Sequence, residues 1–300
     1  MSLLKPFEDD LVKLVQNITF RKINEPFLNS INKDLRSIKS SKNVFVFADK
    51  TKNIYEVSPA EYNKLLTENI TKSYKIGYDG ITDDINEELC NISSNLNIGN
   101  RVHVMAETEA FITLKDHKEN FDSHPKCRLI NPAKSELGKV SKVILDSINH
   151  KIRSTTNVNQ WKNTQAVINW FTNIEHKSRY NFVSFDIVDY YPSITEELLN
   201  KAIAWARTIA NITDKHVTII KHARKSVLFN STKPWIKRDS SSTFDVTMGS
   251  FDGAEICQLV GLYALNKLCT KFGNNNIGLY RDDGLALIEG NSPRLVDKAR

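Results

Sequence analysis

Two adjacent aspartates, Asp282 and Asp283, lie between two short apolar runs at residues 277–280 and 285–288. Short apolar runs on either side of an Asp-Gly pair are typical of β-strands joined by a tight hairpin, so Asp283-Gly284 is expected at the turn. Two carboxylates that close repel each other unless a cation neutralises them. The pair therefore indicates either a Mg²⁺ site of the kind that supports nucleotidyl transfer or a solvated turn, because Asp and Gly are ordinary turn residues.

A second acidic motif lies upstream, in residues 181–194. Residues 182–187 are apolar enough for a buried strand, and Asp186 falls near its end. Ser193 and Glu196 have the spacing of a capping box before a helix. A single Asp at a strand end can be a helix cap or part of a local ion pair. A two-metal site, however, needs carboxylates that converge from separate strands, and Asp186 with the Asp282-Asp283 pair would supply them.

These motifs resemble those of a reverse transcriptase, most closely the Penelope-like retroelement group. Asp186 with an aromatic residue, Tyr191, five positions later resembles the first palm motif. Residues 248–259, which open with Met248-Gly249-Ser250, resemble the second, and residues 280–283 resemble the third. The likeness runs from about residue 45 to residue 299. It departs from the group's pattern at residues 251–255, where Glu255 adds an acid, and at Arg281.

Residues 111–118 and 127–130 resemble the fingers motifs of the same family. They contain a lysine pair and then an arginine on a strand. Here too the chain departs from the usual pattern, because Leu129 stands where proline is commoner. Ala48-Asp49-Lys50 resembles a short N-terminal motif of Penelope-like enzymes. The order and spacing of the five motifs carry the resemblance, rather than any single motif.

The resemblance implies a role for each motif residue. Asp186, Asp282 and Asp283 would be catalytic and, with the backbone carbonyl of Ile187, would hold two Mg²⁺ ions, for which Mn²⁺ could substitute. The cations expected to bind the triphosphate, and the residues expected around the sugar and base, are Lys115, Lys118, Arg128, Tyr191, Gly249 and Ser250.

These residues also have plainer interpretations. The cations could form a solvated basic strand edge, Tyr191 could be a core aromatic, and Gly249 could belong to an ordinary turn. In the functional interpretation, Arg128 grips two phosphate oxygens at once. The ring of Tyr191 leaves no room for a 2′-hydroxyl, and Gly249 lets the backbone approach the base closely.

Composition sets wider bounds. Lys and Arg number 41 against 35 Asp and Glu, which gives a formal net charge of +6 and a pI near 9.0, a mild tilt towards anionic partners. The four cysteines lack paired spacing and are expected to be free thiols in a reducing compartment. His117, His124 and Cys127 suggest zinc, but a fourth ligand at finger spacing is missing. The sequence has no signal peptide and no membrane-length apolar run, so an intracellular protein without membrane contact is expected.

The sequence predicts an α+β fold, with the fingers and palm of a right-hand polymerase and an antiparallel palm sheet that carries helices on one face. Residues 1–43 are expected to form a helical extension, 44–175 a fingers-like region and 176–300 the palm. No segment after Gly284 is long enough for the helical thumb that the resemblance implies, so the thumb is expected to be absent from this chain. Other predictions include helices over 214–229 and 253–272, and a helix that begins at Ser292-Pro293.

The predicted function is template-directed DNA synthesis by a retroelement enzyme, with an RNA template, a DNA primer and dNTPs as partners; a DNA template is the other option. Alternatives are an inactive palm that only binds nucleic acid, an RNA-dependent RNA polymerase, and a B-family DNA polymerase. Tyr191 argues against the RNA polymerase. The adjacent Asp282-Asp283 pair argues against a B-family DNA polymerase, whose third motif is Asp-x-Asp. Trp235 with Lys233, Lys237 and Arg238 could stack on and neutralise a nucleic-acid strand, or form an exposed hairpin.

Overall fold

The computed structural model describes residues 5–19, 26–99, 105, 107–132, 135–238 and 243–289. The helix predicted at Ser292-Pro293 lies outside these residues. The helices are α1 (Lys5–Gln16), α2 (Pro26–Ser40), α3 (Pro59–Ser73), α4 (Ile81–Asn95), α5 (Leu137–Thr156), α6 (Thr164–Thr172), α7 (Tyr190–Ser193), α8 (Glu196–Ala206), α9 (Asp214–His222) and α10 (Gly253–Phe272). The strands are β1 (Val44–Phe47), β2 (Ile54–Val57), β3 (Tyr74–Ile76), β4 (Phe111–Leu114), β5 (Cys127–Ile130), β6 (Asn159–Gln160), β7 (Tyr180–Asp186), β8 (Leu228–Asn230), β9 (Lys233–Lys237), β10 (Ile277–Tyr280) and β11 (Asp283–Glu289).

The largest sheet has the strand order β6-β10-β11-β7. β10, β11 and β7 are antiparallel neighbours, whereas the two-residue strand β6 pairs with β10 in parallel. The expectation of an entirely antiparallel palm sheet is therefore wrong at this edge. The segment after α5 reaches the sheet beside β10, where the indole of Trp161 packs against Gly278.

Helix α10 covers one face of this sheet. Its Leu265 and Cys269 form a buried cluster with Ile277, Leu279 and Ala286 of the hairpin. Helix α10 also packs against α5 and α8 in the largest core cluster. Its apolar residues recur at helical spacing, which predicts a helix over 253–272. The observed bounds match that prediction.

A helix also reaches the opposite face of the sheet. Side chains alternate along a strand, so Phe182 faces away from Phe185, which packs with the α10 cluster. Phe171 of α6 contacts Phe182 with ring centroids 5.3 Å apart. The expectation that helices lie on one face only is therefore too simple.

Three smaller sheets complete the described structure. β1 pairs with β2, β4 pairs with β5 as predicted, and β3, β9 and β8 form a three-stranded sheet. The sequence Ser58-Pro59-Ala60-Glu61 predicts the start of a helix, and α3 begins there, with Pro59 at its first turn and the Ser58 hydroxyl accepting from the Glu61 amide. Helices α1 and α2 lie within residues 1–43, the segment for which a helical extension is predicted.

Two helix predictions are wrong in detail. The cap of α8 is Thr195, whose hydroxyl accepts from the Leu198 amide, while the Ser193 hydroxyl donates to the Tyr190 carbonyl inside α7. The helix predicted over 214–229 ends at His222. Its second half instead becomes β8, because Leu228 and Phe229 are buried in separate apolar clusters.

No helix among the described residues is both long enough and apolar enough to span a membrane. All four cysteines are free, as predicted.

Candidate functional site

The hairpin formed by β10 and β11 carries the aspartate pair. Tyr280 pairs with Asp283, so the turn consists of Arg281 and Asp282, with Arg281 at a positive φ of 57°. The predicted hairpin is present, but Asp283 and Gly284 lie in the strand rather than the turn. Gly284 stands opposite Phe185 on β7, and a Cβ there would lie 2.1 Å from the Phe185 ring. Packing against that ring therefore requires glycine.

Asp186 and Asp283 face each other across β7 and β11. They are register partners at the end of the antiparallel ladder, so their side chains share one face with Cβ atoms about 4.5–5.5 Å apart. The Ile187 amide donates to the Asp282 carbonyl at 2.9 Å, which fixes the turn to the end of β7. Burial raises the pKa of the Asp283 carboxyl, and the charges of Asp282 and Asp186 raise it further. The three predicted carboxylates therefore act on one another.

The donor set suits Mg²⁺ in its chemistry, because it consists of carboxylate and backbone oxygens. Within the described part of the chain, no three His, Cys, Asp or Glu side chains are arranged so that they could hold a metal ion by themselves. This includes the His117, His124 and Cys127 group considered for zinc. A full cage is not what Mg²⁺ requires, since it commonly takes one or two carboxylates together with substrate phosphates and water.

A cleft of about 240 Å³ brings together residues from both halves of the chain. Lys115 and Arg128 line it from the β4–β5 side, and Tyr191 lines it from α7. Met248, which precedes the predicted Gly249-Ser250 pair, lines it from the loop before α10. Lys118 is exposed in the turn after β4 and does not line the cleft. Three of the predicted contact residues are thus in one cavity, with the glycine loop at its edge.

The cations of the cleft are partly desolvated. Burial lowers the pKa of the Lys115 ammonium, and the nearby Arg128 charge lowers it further, while Asp49 and Asp189 oppose this. The Arg128 guanidinium is held by Asp49, with 2.6 Å between Nη1 and Oδ1. The cleft therefore presents two adjacent positive charges, a combination suited to phosphate oxygens.

Tyr190 and Tyr191 have different surroundings. Tyr190 is buried, and its hydroxyl donates to the Cys257 carbonyl at 2.6 Å. Tyr191 is partly buried, and burial is the main cause that raises its pKa to about 12. Its hydroxyl is hydrogen-bonded to the Cys257 thiol, and the Arg281 charge acts on it. Tyr191 therefore lies between the cleft and the hairpin that carries the aspartates.

The loop that precedes α10 is held in a constrained conformation. Gly249 has a φ of +113°, and a Cβ there would lie 2.7 Å from the Asn131 carbonyl oxygen. The Ser250 hydroxyl donates to the Thr247 carbonyl at 3.0 Å. A side chain at position 249 would therefore clash with the segment after β5, so close backbone packing requires glycine here. An ordinary turn would not impose this second requirement.

Beneath this loop lies a buried ion pair. Arg224, just after α9, contacts Asp252, and their side chains are 1 % and 0 % exposed. Burial lowers the pKa of the Arg224 guanidinium to about 10. The pair ties the start of α10 to the end of α9 and fixes the base of the loop.

Glu255, the extra acid in the second palm motif, is buried beside the same loop. Its carboxylate lies 3.1 Å from the Lys142 ammonium on α5, and the Asn149 amide donates to its carbonyl. Glu255 therefore contributes to the packing of α10 on α5.

Two of the basic residues near Trp235, Lys237 and Arg238, form hydrogen bonds within the protein. Lys237 donates to the Pro192 carbonyl and lies 3.4 Å from the buried Asp245 carboxylate. Arg238 donates to the Thr71 carbonyl, and Trp235 packs on the cluster that contains Leu228. These contacts agree with the interpretation as a hairpin with one packed Trp.

Four residues that hold the site in place have no marker of that role in the sequence: Asp49, which the motifs include without a contact partner, Asp116, and the pair Arg224 and Asp252. Asp49 and Arg128 are 79 residues apart in the chain, and Arg224 and Asp252 are 28 apart. No local pattern marks such pairs, apart from the presence of charges beside apolar segments.

No protein-family model and no curated protein matches the chain. The structure is similar to that of apo telomerase from Candida tropicalis, with a TM-score of 0.57 and 9 % identity over 97 % of this chain and 57 % of that one. It is also similar to telomerase from Candida albicans in complex with a fragment of telomeric RNA, with a TM-score of 0.51 and 9 % identity over 91 % of this chain and 48 % of that one.

This chain spans about half the length of these telomerases. Telomerase is a specialised reverse transcriptase, so the likeness shows a reverse-transcriptase-like fold with mixed helix and sheet. It does not single out the Penelope-like group.

Proposed function

We propose that this protein catalyses template-directed DNA synthesis, with an RNA template, a DNA primer and dNTPs as substrates. The observation that carries the proposal is the pairing of Asp283 with Asp186 and the attachment of the Asp282 carbonyl to the Ile187 amide. These contacts bring the three aspartates to one end of the sheet, and Tyr191, five residues after Asp186, lines the cleft. Penelope-like retroelement ancestry belongs to the same proposal and rests on motif order alone.

Asp186, Asp282, Asp283 and the Ile187 carbonyl are the groups proposed to hold two Mg²⁺ ions. When bound, such ions lower the pKa of the primer 3′-hydroxyl and neutralise the triphosphate and the leaving pyrophosphate. The raised pKa of Asp283 supports this assignment, because like charges so close together favour a bound cation.

The chain's own residues would orient the nucleotide. Lys115 and Arg128 line the cleft and would bind the triphosphate, and the lowered pKa of Lys115 reflects a partly desolvated ammonium that gains from an anionic partner. Tyr191 would pack beneath the sugar and exclude a 2′-hydroxyl. Gly249 and Ser250 would shape the backbone near the templating base. Lys118 is exposed in the turn after β4, outside the cleft, and carries no assigned contact.

A second candidate function is nucleic-acid binding without chemistry. It would use the same two cations of the cleft, Lys115 and Arg128, which suit the phosphate oxygens of a nucleic acid whether or not chemistry follows. The two functions differ in one outcome: with dNTPs and Mg²⁺ present, a polymerase extends the primer, whereas a binding protein leaves it unextended.

The test is primer extension on a homopolymer RNA template with a DNA primer. We expect Mg²⁺-dependent incorporation of dNTPs, little incorporation of rNTPs, and complete loss on chelation. Binding of primer-template without extension at any Mg²⁺ or Mn²⁺ concentration would favour the second candidate. Preferential use of rNTPs would instead favour an RNA polymerase.

A further inference from the structure

The β1–β2 hairpin contacts the β4–β5 hairpin at the point where the cleft cations are attached. The Asp49 amide donates to the Leu114 carbonyl at 2.8 Å, and Ala48 forms a bridge with Leu114. Lys115 follows Leu114 directly. The turn of the first hairpin, residues 48–53, therefore lies against the segment that carries the first cleft lysine.

Each hairpin holds a charged residue of the other. Asp49 of the first hairpin accepts from Arg128 on β5. In the opposite direction, Asp116 of the second hairpin accepts three hydrogen bonds at Oδ2, at 2.5, 2.9 and 3.0 Å, from Thr51, Asn53 and Tyr55. We call these reciprocal contacts the hairpin clasp.

Both carboxylates of the clasp are buried. The Asp49 side chain is 6 % exposed and the Asp116 side chain is 4 % exposed. The hydrogen bonds from Thr51, and then from Asn53 and Tyr55, lower the pKa of Asp116, so it remains charged at neutral pH. Buried carboxylates persist only where partners compensate for lost hydration, which indicates that these contacts are integral to the fold.

The Asp49–Arg128 contact leaves the guanidinium open towards the cleft. A guanidinium has five N–H donors. In the described structure, Arg128 donates from Nη1 to Asp49. The Arg128 side chain is 33 % exposed and lines the cleft. A guanidinium anchored on one side keeps its remaining donors in a fixed plane for bidentate contact with phosphate oxygens.

The same turn also approaches the aspartate hairpin. Lys50, which follows Asp49, lies close enough for its charge to act on the Asp283 carboxyl, where it opposes the influences that raise that pKa. Lys50 is thus within electrostatic reach of a proposed metal carboxylate, while Asp49 beside it holds Arg128.

We infer that Asp49 is a positioning residue that holds Arg128 in the orientation required to bind a nucleoside triphosphate, with the Asp116 side of the clasp keeping Asp49 in place. This inference rests on the proposed function, in which Arg128 meets the triphosphate. The Ala48-Asp49-Lys50 segment has no part in the proposed metal or sugar contacts, and this inference gives it a role at the triphosphate.

The test uses Asp49→Asn, which keeps the side-chain size and one acceptor oxygen but removes the charge. A charge-assisted hydrogen bond is about twice as strong as a neutral one, so we expect the KM for dNTP to rise about tenfold while kcat changes less than about threefold. The matched control is Glu56→Gln on β2, the same acid-to-amide change in a residue that accepts from Ser41 and Asn43. It should leave KM unchanged.

A double-mutant cycle separates positioning from a general structural role. In an Arg128→Ala background, Asp49→Asn should cause no further rise in KM, because Asp49 acts through Arg128. A loss of active protein would lower kcat instead and would act equally in both backgrounds. Unchanged KM in folded Asp49→Asn, or an undiminished effect without Arg128, would overturn the inference.

A binding measurement keeps the inference distinct from the proposed function. Calorimetry with inorganic tripolyphosphate reports on Arg128 whether or not the protein extends primers. We expect Asp49→Asn to weaken this binding about tenfold, in line with the loss of a charge-assisted contact. If Asp49→Asn does not fold, Asn53→Ala, which loosens the Asp116 side, should weaken binding about threefold. Equal tripolyphosphate affinity in the wild type and the folded variant would refute the role of Asp49 even if extension were observed.

Discussion

Asp283 lies directly opposite Asp186 in the pairing of β11 with β7, so that two strands distant in sequence present carboxylates on one face. Burial and the charges of Asp282 and Asp186 raise the pKa of Asp283 above its usual 3.8. An acid whose pKa is raised by folding binds its proton more tightly in the folded state. Its contribution to stability therefore falls as pH rises from its unfolded pKa through its folded pKa.

Asp283→Asn should remove the loss of stability that the Asp283 carboxyl causes as pH rises. In buffer free of divalent metal, we expect the Tm of the variant relative to wild type to increase as pH rises from about 4 to about 7. Asp9→Asn, in an exposed acid on α1, serves as the control and should show no such trend. Thermal melts across this pH range check the prediction, and a pH-independent difference for Asp283→Asn would contradict it.

Gly249→Ala should destabilise the protein. The backbone there has a positive φ, and the added Cβ would meet the Asn131 carbonyl oxygen at 2.7 Å, so we expect a loss of about 1–3 kcal/mol in the free energy of unfolding. Gly99→Ala is the matched control, because a Cβ at Gly99 meets no atom of the described residues within 4 Å. Denaturant titration of both variants measures the difference, and equal stability would contradict the constrained loop.

Arg224→Met should be more damaging than an equivalent change at the surface. It leaves Asp252 buried without its partner, which we expect to cost about 3–5 kcal/mol of unfolding free energy. Arg207→Met removes the exposed pair with Asp214 and should cost less than about 1 kcal/mol. Adding Asp252→Asn to Arg224→Met should recover part of the loss, because it removes the uncompensated charge. A double variant less stable than Arg224→Met would contradict this account.

The parts of the fold that sequence predicted are those with a local physical cause. Helix α10 follows from apolar residues at helical spacing, and the start of α3 follows from Ser58 and Pro59. The hairpin also followed from its flanking apolar runs, but the turn residues did not. Pairing with β7 places Asp283 in the strand opposite Asp186, and that constraint comes from a segment almost a hundred residues away.

The candidate site shows the same division. The motif aspartates and Tyr191 were identifiable because their spacing is distinctive. The contacts that hold Arg128 and the loop at Gly249 were not, since the Asp49–Arg128 and Arg224–Asp252 pairs join distant segments. The Trp235 region had two interpretations in the sequence, a nucleic-acid surface or a hairpin with one packed Trp, because the hydrogen bonds of Lys237 and Arg238 to backbone carbonyls of distant segments leave no local pattern.

Tyr191→Val should alter sugar selection more than chemistry. If the ring excludes the 2′-hydroxyl, its removal should increase the use of rNTPs relative to dNTPs by about 10- to 100-fold, a typical effect for one steric contact. Tyr190→Phe is the control, since it keeps the neighbouring ring, removes only the hydrogen bond to Cys257 and should leave discrimination unchanged. Unaltered dNTP preference in folded Tyr191→Val would place the selecting group elsewhere.

The central claim is that the paired carboxylates perform nucleotidyl transfer, and the most direct test is Mg²⁺-dependent primer extension by wild type and Asp282→Asn. We expect wild type to extend a DNA primer on RNA, and the variant to lose at least about a thousandfold in rate, because several kcal/mol of charge stabilisation are removed. Folding and primer-template binding should be retained in both. Extension by Asp282→Asn at the wild-type rate would contradict the account.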